Sequence, residues 1–241
     1  MAEIIRDHDK FYLNEDRKAN PKEYFKFISS LVAPHLDRFP QPRILDIGCA
    51  TGDFLYYLHS LYPKAVLHGM DVMPSLLERA AVEVPSSTFS EGNICDASDI
   101  PLRQFDAVFM NGVHSIFDEL RPWLENLVKL VDGTSGGCGY VFGIFNPEPF
   151  DVLVKARSAD EPEDGPWQAG WNCFSTKSVG KILDSIGVSS YQFHRWSIGI
   201  DVPRHADDCL RSWSFQYLDG NRGIVNGTQV MHHFMLLEIH K

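Results

Sequence analysis

The chain has 241 residues, 44% hydrophobic and 22% charged, with a formal net charge of -10. That length can bury a substantial core. The acidic balance and the lack of any basic run argue against nucleic acid or an anionic membrane surface as partner, since both need a field of Lys and Arg. The five cysteines, Cys49, Cys95, Cys138, Cys173 and Cys209, stand singly with no Cys-x-x-Cys pair. That pattern supports no structural zinc site, so no metal is expected, and it suits reduced thiols in a cytoplasm. The first ten residues are too polar for a signal peptide. The longest apolar stretch, near Tyr140 to Phe145, falls far short of the roughly 20 residues that cross a bilayer.

Residues 1–40 read as an amphipathic helical cap, with Tyr24, Phe25, Ile28, Leu31 and Val32 at helical spacing between Pro21 and Pro34. The texture then changes. Arg43 to Gly48 is a short apolar strand ending in a glycine-rich turn, and a helix follows with Phe54, Leu55, Leu58, Leu61 and Tyr62 on one face until Pro63. Val66 to Asp71 predicts a second strand, and Pro74 the first residue of the next helix. Thr88 to Ser90, Phe105 to Asn111 and Gly137 to Phe145 predict three more strands. Asp118 is the expected cap of a helix whose apolar face includes Leu120, Trp123, Leu124 and Leu127. Strands alternating with helices imply a parallel sheet covered on both faces.

The tail has another character. Residues 147–172 form an acidic, Pro-containing loop in which Trp167, Trp171 and Asn172 are either a substrate lid or a packed loop. Ser175 is placed to cap a helix ending at Gly187. Val188 to Ile200 is strand-like. Asp219-Gly220-Asn221 between two strand-like runs signals a hairpin, and His233 to His240 is the last strand. His194, His205 and the pair His232-His233 lack metal-ligand spacing.

The chemistry concentrates in Asp46-Ile-Gly48-Cys49-Ala50-Thr-Gly52. Glycines in a strand-to-helix turn let the backbone approach a ligand. Such a turn also serves dinucleotides, and an acid about 20 residues on, here Asp71, can accept hydrogen bonds from ribose hydroxyls. The motif resembles the first motif of class I S-adenosylmethionine-dependent methyltransferases, Asp-x-Gly-x-Gly-x-Gly, with Ala50 at the middle glycine. In order, Gly69-Met-Asp71-Val72 resembles the second motif, Glu91-Gly-Asn93-Ile94 the third, and Phe105 to His114, with Asn111 and Gly112, the fourth. More loosely, Asn226-Gly227 before a final apolar strand resembles polysaccharide and natural-product methyltransferases.

The resemblance implies a Rossmann-like, doubly wound, seven-stranded α/β sheet, mostly parallel with its last strand antiparallel. A helical cap and an extra C-terminal hairpin complete one domain: cap 1–40, cofactor core 41–146, and substrate side 147–241. It implies S-adenosylmethionine as cofactor, with S-adenosylhomocysteine as product, held by Asp46, Gly48, Cys49, Ala50, Gly52, Asp71, Val72, Asn93, Ile94, Asn111 and Gly112, with Tyr12 closing from the cap. Methyl transfer to a hydroxyl of a metabolite or sugar benefits from a base titrating near neutrality. His114, just past the fourth strand, is the expected base. Methylation of a nitrogen or of a carboxylate, an NAD-dependent oxidoreductase and a non-catalytic cofactor-binding regulator are the alternatives. The sequence does not specify an oligomeric state.

Overall fold

A computed structural model describes residues 17–241. Among the described residues five α-helices surround one large sheet: α1 (Glu23–Leu36), α2 (Asp53–Leu61), α3 (Pro74–Glu83), α4 (Arg121–Leu130) and α5 (Thr176–Ser185). The strands are β1 (Arg43–Ile47), β2 (Val66–Asp71), β3 (Thr88–Glu91), β4 (Ala107–Asn111), β5 (Cys138–Asn146), β6 (Lys155–Ala156), β7 (Gln168–Ala169), β8 (Phe174–Ser175), β9 (Ser190–Arg195), β10 (Trp213–Gln216), β11 (Arg222–Val225) and β12 (Phe234–His240). The sheet path runs β3-β2-β1-β4-β5-β12-β9, and β8 adds to the end of β5. Strands β1 to β5 pair in parallel. β12 runs antiparallel between β5 and β9. This is the expected doubly wound architecture, and β10 and β11 form the expected extra hairpin.

Period-two alternation divides the core between the sheet's faces. Ile44, Phe109, Tyr140, Phe142 and Leu236 face α1 and α2, meeting Phe25, Ile28, Val32, Phe54, Leu55 and Leu58. Leu45, Ile47, Val108, Met110, Val141 and Leu237 face α4 and α5, meeting Trp123, Leu124, Leu127, Val179 and Leu183. The central strands therefore bury both faces, which is why they read as near-continuous apolar runs. α1 belongs to this packing: it covers the sheet rather than standing apart from it.

Most helix ends follow their sequence signals. Pro74 opens α3, and the Ser175 hydroxyl accepts from Lys177 N at the start of α5. Asp118 corrects the reading made for it. Leu120 occupies the N-cap of α4 without a side-chain bond, while Asp118 pairs with Lys155 and accepts from Asn172 Nδ2 at 3.1 Å. Asn172 is fully buried and also bonds Val154 N and Phe117 O, so it pins the 147–172 segment to the end of the β4 turn. Trp167 is 61% exposed, against Arg157. Among the described residues no helix is long and apolar enough to cross a membrane.

Candidate functional site

The strand order reverses between β1 and β4, and in open α/β sheets ligands bind beyond the carboxyl ends of the strands at such a point. A cavity of about 590 Å³ lies there, at the ends of β1, β2, β3 and β4. Its floor is the turn from Gly48 to Thr51. Gly48 N and Cys49 N both donate to Met70 O, at 2.7 and 3.1 Å, so β2 holds the turn from beneath. Gly48 has φ +69°, and a Cβ there would come within 2.3 Å of Val113 Cγ2. Glycine is therefore required by conformation and by space.

Ala50 takes φ +47°, a region that costs an L-residue with a Cβ about 1–2 kcal/mol. Its N–H donates to Asp71 Oδ2 at 2.9 Å, and Met73 N donates to Asp71 Oδ1 at 3.0 Å. Two backbone donors thus orient the carboxylate at the end of β2. Asp46 is buried, and burial, then the neighbouring Asp71, push its carboxyl well above the usual range, against the pull of Asn111. Asn111 Nδ2 reaches Asp46 Oδ1 at 3.4 Å, while Asn111 Oδ1 is buried with no partner. A buried acceptor left open beside a cavity favours a donor on a ligand. Burial, then Asp46 and Asp71, likewise hold Cys49 as a thiol.

Opposite the turn, Tyr24 of α1 lies at the cavity wall and stacks on Phe142, with ring centroids 4.6 Å apart. Burial, then Asp46 and Asp53, raise its phenol far above the ordinary value and keep it protonated. Seven carboxylate residues line the cavity, Asp71, Glu91 and Asp99 among them, against Lys22 as the one lysine or arginine among the described lining residues. The field suits a cation.

Of the residues predicted to hold a cofactor, Asp46, Gly48, Cys49, Ala50, Asp71, Val72, Asn93, Ile94, Asn111 and Gly112 come together on this cavity. Asn93 spends its Oδ1 on Cys95 N, and the Ile94 carbonyl accepts from Asn126 Nδ2 of α4. Gly52 stands behind the turn instead, with Ala80 and Val84 against the place its Cβ would occupy. Tyr12 lies outside the described residues.

His114 does not face the cavity. It is fully buried beneath β5, its ring stacked on Phe145 at 4.5 Å, and its Nε2 donates to Ile144 O at 3.0 Å. Burial lowers its pKa to about 4, so it is neutral near pH 7 but out of reach of a substrate proton. This corrects the expectation of a histidine base at the methyl group. Tyr24, Asp53 and Asp99 were missed as site residues. Tyr24 carried only the signal of an apolar helix face, and the two acids none beyond their charge.

Cys138 Sγ and His240 Nδ1 lie 3.1 Å apart at the other end of the strands from the cavity, where β5 begins and β12 ends, with Glu238 against His240 Nε2 at 3.2 Å and His194 Nε2 at 2.8 Å. These potential metal ligands are engaged with one another.

A family model described as a methyltransferase domain matches residues 45–136, the segment that carries the glycine turn, Asp71, Asn93 and Asn111. Trans-aconitate 2-methyltransferase of Rhizobium rhizogenes is 27% identical over 163 residues, 65% of this chain and 60% of that protein. The protein of the same name from Methylobacterium nodulans is 27% identical over 212 residues, 84% and 75% of the two chains. The chain spans about 60% of the length of the first of these relatives. Among solved structures, N-methyltransferase NodS from Bradyrhizobium japonicum, in complex with S-adenosylhomocysteine, superposes with a TM-score of 0.54 at 14% identity, covering 97% of this chain and 96% of that one. YcgJ from Bacillus subtilis gives 0.55 at 14% identity, over 83% and 92%. The two structures share the fold with this chain, and the matched domain carries the motifs in order. These marks make residues 45–136 a methyltransferase domain and support reading the chain as a class I S-adenosylmethionine-dependent methyltransferase.

Proposed function

We propose that this chain transfers the methyl group of S-adenosylmethionine to an oxygen of a small molecule, a carboxylate before a hydroxyl. In this reading residues 41–146 hold the cofactor, while residues 1–40 and 147–241 shape the acceptor side. Asp71, held by Ala50 N and Met73 N, presents its carboxylate to the ribose hydroxyls. Asn93 and Ile94 border the base, and Asn111 Oδ1 offers an acceptor to the ammonium group. The single observation that carries the reading is that unpartnered Asn111 oxygen on a cavity floored by the glycine turn. The acidic lining favours the cationic sulfonium over the product, which has lost that charge.

The cofactor supplies an already activated methyl group, and the protein aligns a nucleophile with it. No histidine is among the described lining residues, and Tyr24 stays protonated. A hydroxyl acceptor would need a base that these side chains do not offer as an imidazole. A carboxylate is ionised at pH 7 and needs none. The relatives named for trans-aconitate, a carboxylate compound, favour the same choice.

The test has two stages. Thermal unfolding with S-adenosylmethionine, S-adenosylhomocysteine or NAD comes first. Ligand at 100 times its dissociation constant adds about 2.7 kcal/mol, roughly 5–11 °C for a domain this long. A shift with NAD alone would overturn the reading. Next, release of S-adenosylhomocysteine is followed over matched panels of carboxylates and alcohols. Turnover confined to alcohols would reject the carboxylate preference, and cofactor binding with no turnover on either panel would favour a regulatory protein.

A further inference from the structure

A second cavity, about 150 Å³, opens between the ends of β9 and β12 and the β10–β11 hairpin. Its lining reverses the charge of the first. Arg195, Arg222, His232 and His233 line it, with no carboxylate among the described lining residues, in a chain whose net charge is -10. Among the described residues Arg195 makes no ion pair, while Arg222 Nε donates to Asp201 Oδ1 at 2.8 Å. Asp201 is not part of the lining, and its side chain is 82% exposed.

The frame of this cavity is fixed by backbone bonds. His232 N donates to Ile224 O of the hairpin, Phe145 N to His233 O, and Trp196 N to Phe234 O, at 2.9, 3.0 and 3.0 Å. His232 is 4% exposed, its Nδ1 lies 3.4 Å from Ser212 Oγ, and its Nε2 is buried with no partner. A hydroxyl donating to Nδ1 leaves Nε2–H as an unused donor.

The two cavities share an aromatic wall. Tyr24 lines the first and Trp196 the second, with ring centroids 6.5 Å apart, and both rings pack on Phe142.

We propose that the cavity bounded by Arg195, Arg222 and His232 binds a small anionic group, a carboxylate or a phosphate. Guanidinium groups match both geometries through paired N–H donors. The volume is below the roughly 300 Å³ of ordinary ligand pockets, so the site takes a charged group rather than a whole nucleotide. Such a group comes either as one end of the methyl acceptor, reaching past Tyr24 and Trp196, or as a separate anion. It also resolves a tension in the acidic first cavity, which by itself repels an anionic acceptor. Anion binding does not depend on the methyl-transfer reading, and titration of S-adenosylhomocysteine on the same samples tests that reading separately.

The experiment is calorimetric titration of the full chain with inorganic phosphate and with succinate at low salt. Arg195→Gln and Arg222→Gln are each expected to weaken binding at least tenfold, while S-adenosylhomocysteine affinity and the unfolding temperature stay within error. Asp201→Asn, at an exposed site, releases Arg222 from its partner and is expected to tighten binding severalfold. With an accepted carboxylate substrate, phosphate that raises KM and leaves kcat unchanged identifies the site as the acceptor's anionic end. Phosphate that binds without raising KM identifies a separate anion. No heat with either probe on the wild-type chain, or equal heat in all three variants, overturns the site.

Discussion

The backbone N–H of Ala50 donates to Oδ2 of Asp71 across 2.9 Å, joining the turn after β1 to the acid that ends β2. Ala50 makes this bond from a left-handed backbone conformation, φ +47°. Two motifs, 21 residues apart, are thereby one structural unit. Strain at Ala50 and orientation of Asp71 are coupled, and each can be tested alone.

Ala50→Gly relieves a positive φ that glycine adopts freely. The gain is partly offset by the larger entropy of a glycine in the unfolded chain. The expected net is a stabilisation of about 0.5–1 kcal/mol, seen as a rise of roughly 1–4 °C in Tm. Cofactor affinity should be unchanged or better, because the N–H to Asp71 is retained. A fall in Tm would mean that the alanine methyl packs usefully where it stands.

Asp71→Asn keeps the size of the side chain and one acceptor for Ala50 N or Met73 N. It removes the charge and the second acceptor. Affinity for S-adenosylhomocysteine should fall at least tenfold, about 1.4 kcal/mol, while Tm without ligand moves by only a few degrees. Equal losses in Tm and in affinity would make Asp71 a turn-holding residue with no part in ligand binding.

These two residues also show what was readable from sequence. A glycine turn, an acid 20 residues on and apolar runs of five are local patterns, and the parallel sheet with its strand-end cavity follows from them. His114 was misplaced because its socket is made 29 residues later. Gly143 of β5 lacks the side chain that would fill the space where the imidazole lies. Asp118 looked like a cap by position, but Lys155 of β6 and Asn172, ahead of β8, take its oxygens. The cationic cavity draws Arg195, Arg222 and His232 from three separate segments, none with a motif of its own.

The His114 socket is testable in its own right. A Cβ on Gly143 would lie 2.2 Å from His114 Cε1 and 2.7 Å from Nδ1. Gly143→Ala therefore overpacks a rigid site between β5 and the turn after β4, at a cost of about 1–3 kcal/mol. His114→Ala empties the same space and destabilises by itself. The double variant should be less destabilised than the sum of the two, with a coupling of at least about 1 kcal/mol in urea unfolding. Strict additivity would show that the two residues do not share this space.

Acid titration should expose the buried imidazoles. His68, His114 and His232 each have a pKa lowered to about 4, chiefly by burial, with Arg103 adding at His68 and His233 at His232, while the Ile144 carbonyl opposes burial at His114. In the unfolded chain these groups titrate near 6.5. Between pH 6.5 and 4 the unfolded state therefore binds more protons than the folded one, and stability falls as pH falls. The contribution is complete above pH 6.5 and has gone below about 4. For His114 alone, going from pH 7 to pH 5 should remove roughly 2 kcal/mol. His114→Phe fills the socket without a titrating group, so its loss of stability between pH 7 and pH 5 should be smaller than the wild type's by that amount, with turnover at pH 7 on any accepted substrate retained. An unchanged slope would mean that the imidazole is reached by water, and a loss of turnover with intact cofactor binding would restore His114 to the catalytic chemistry.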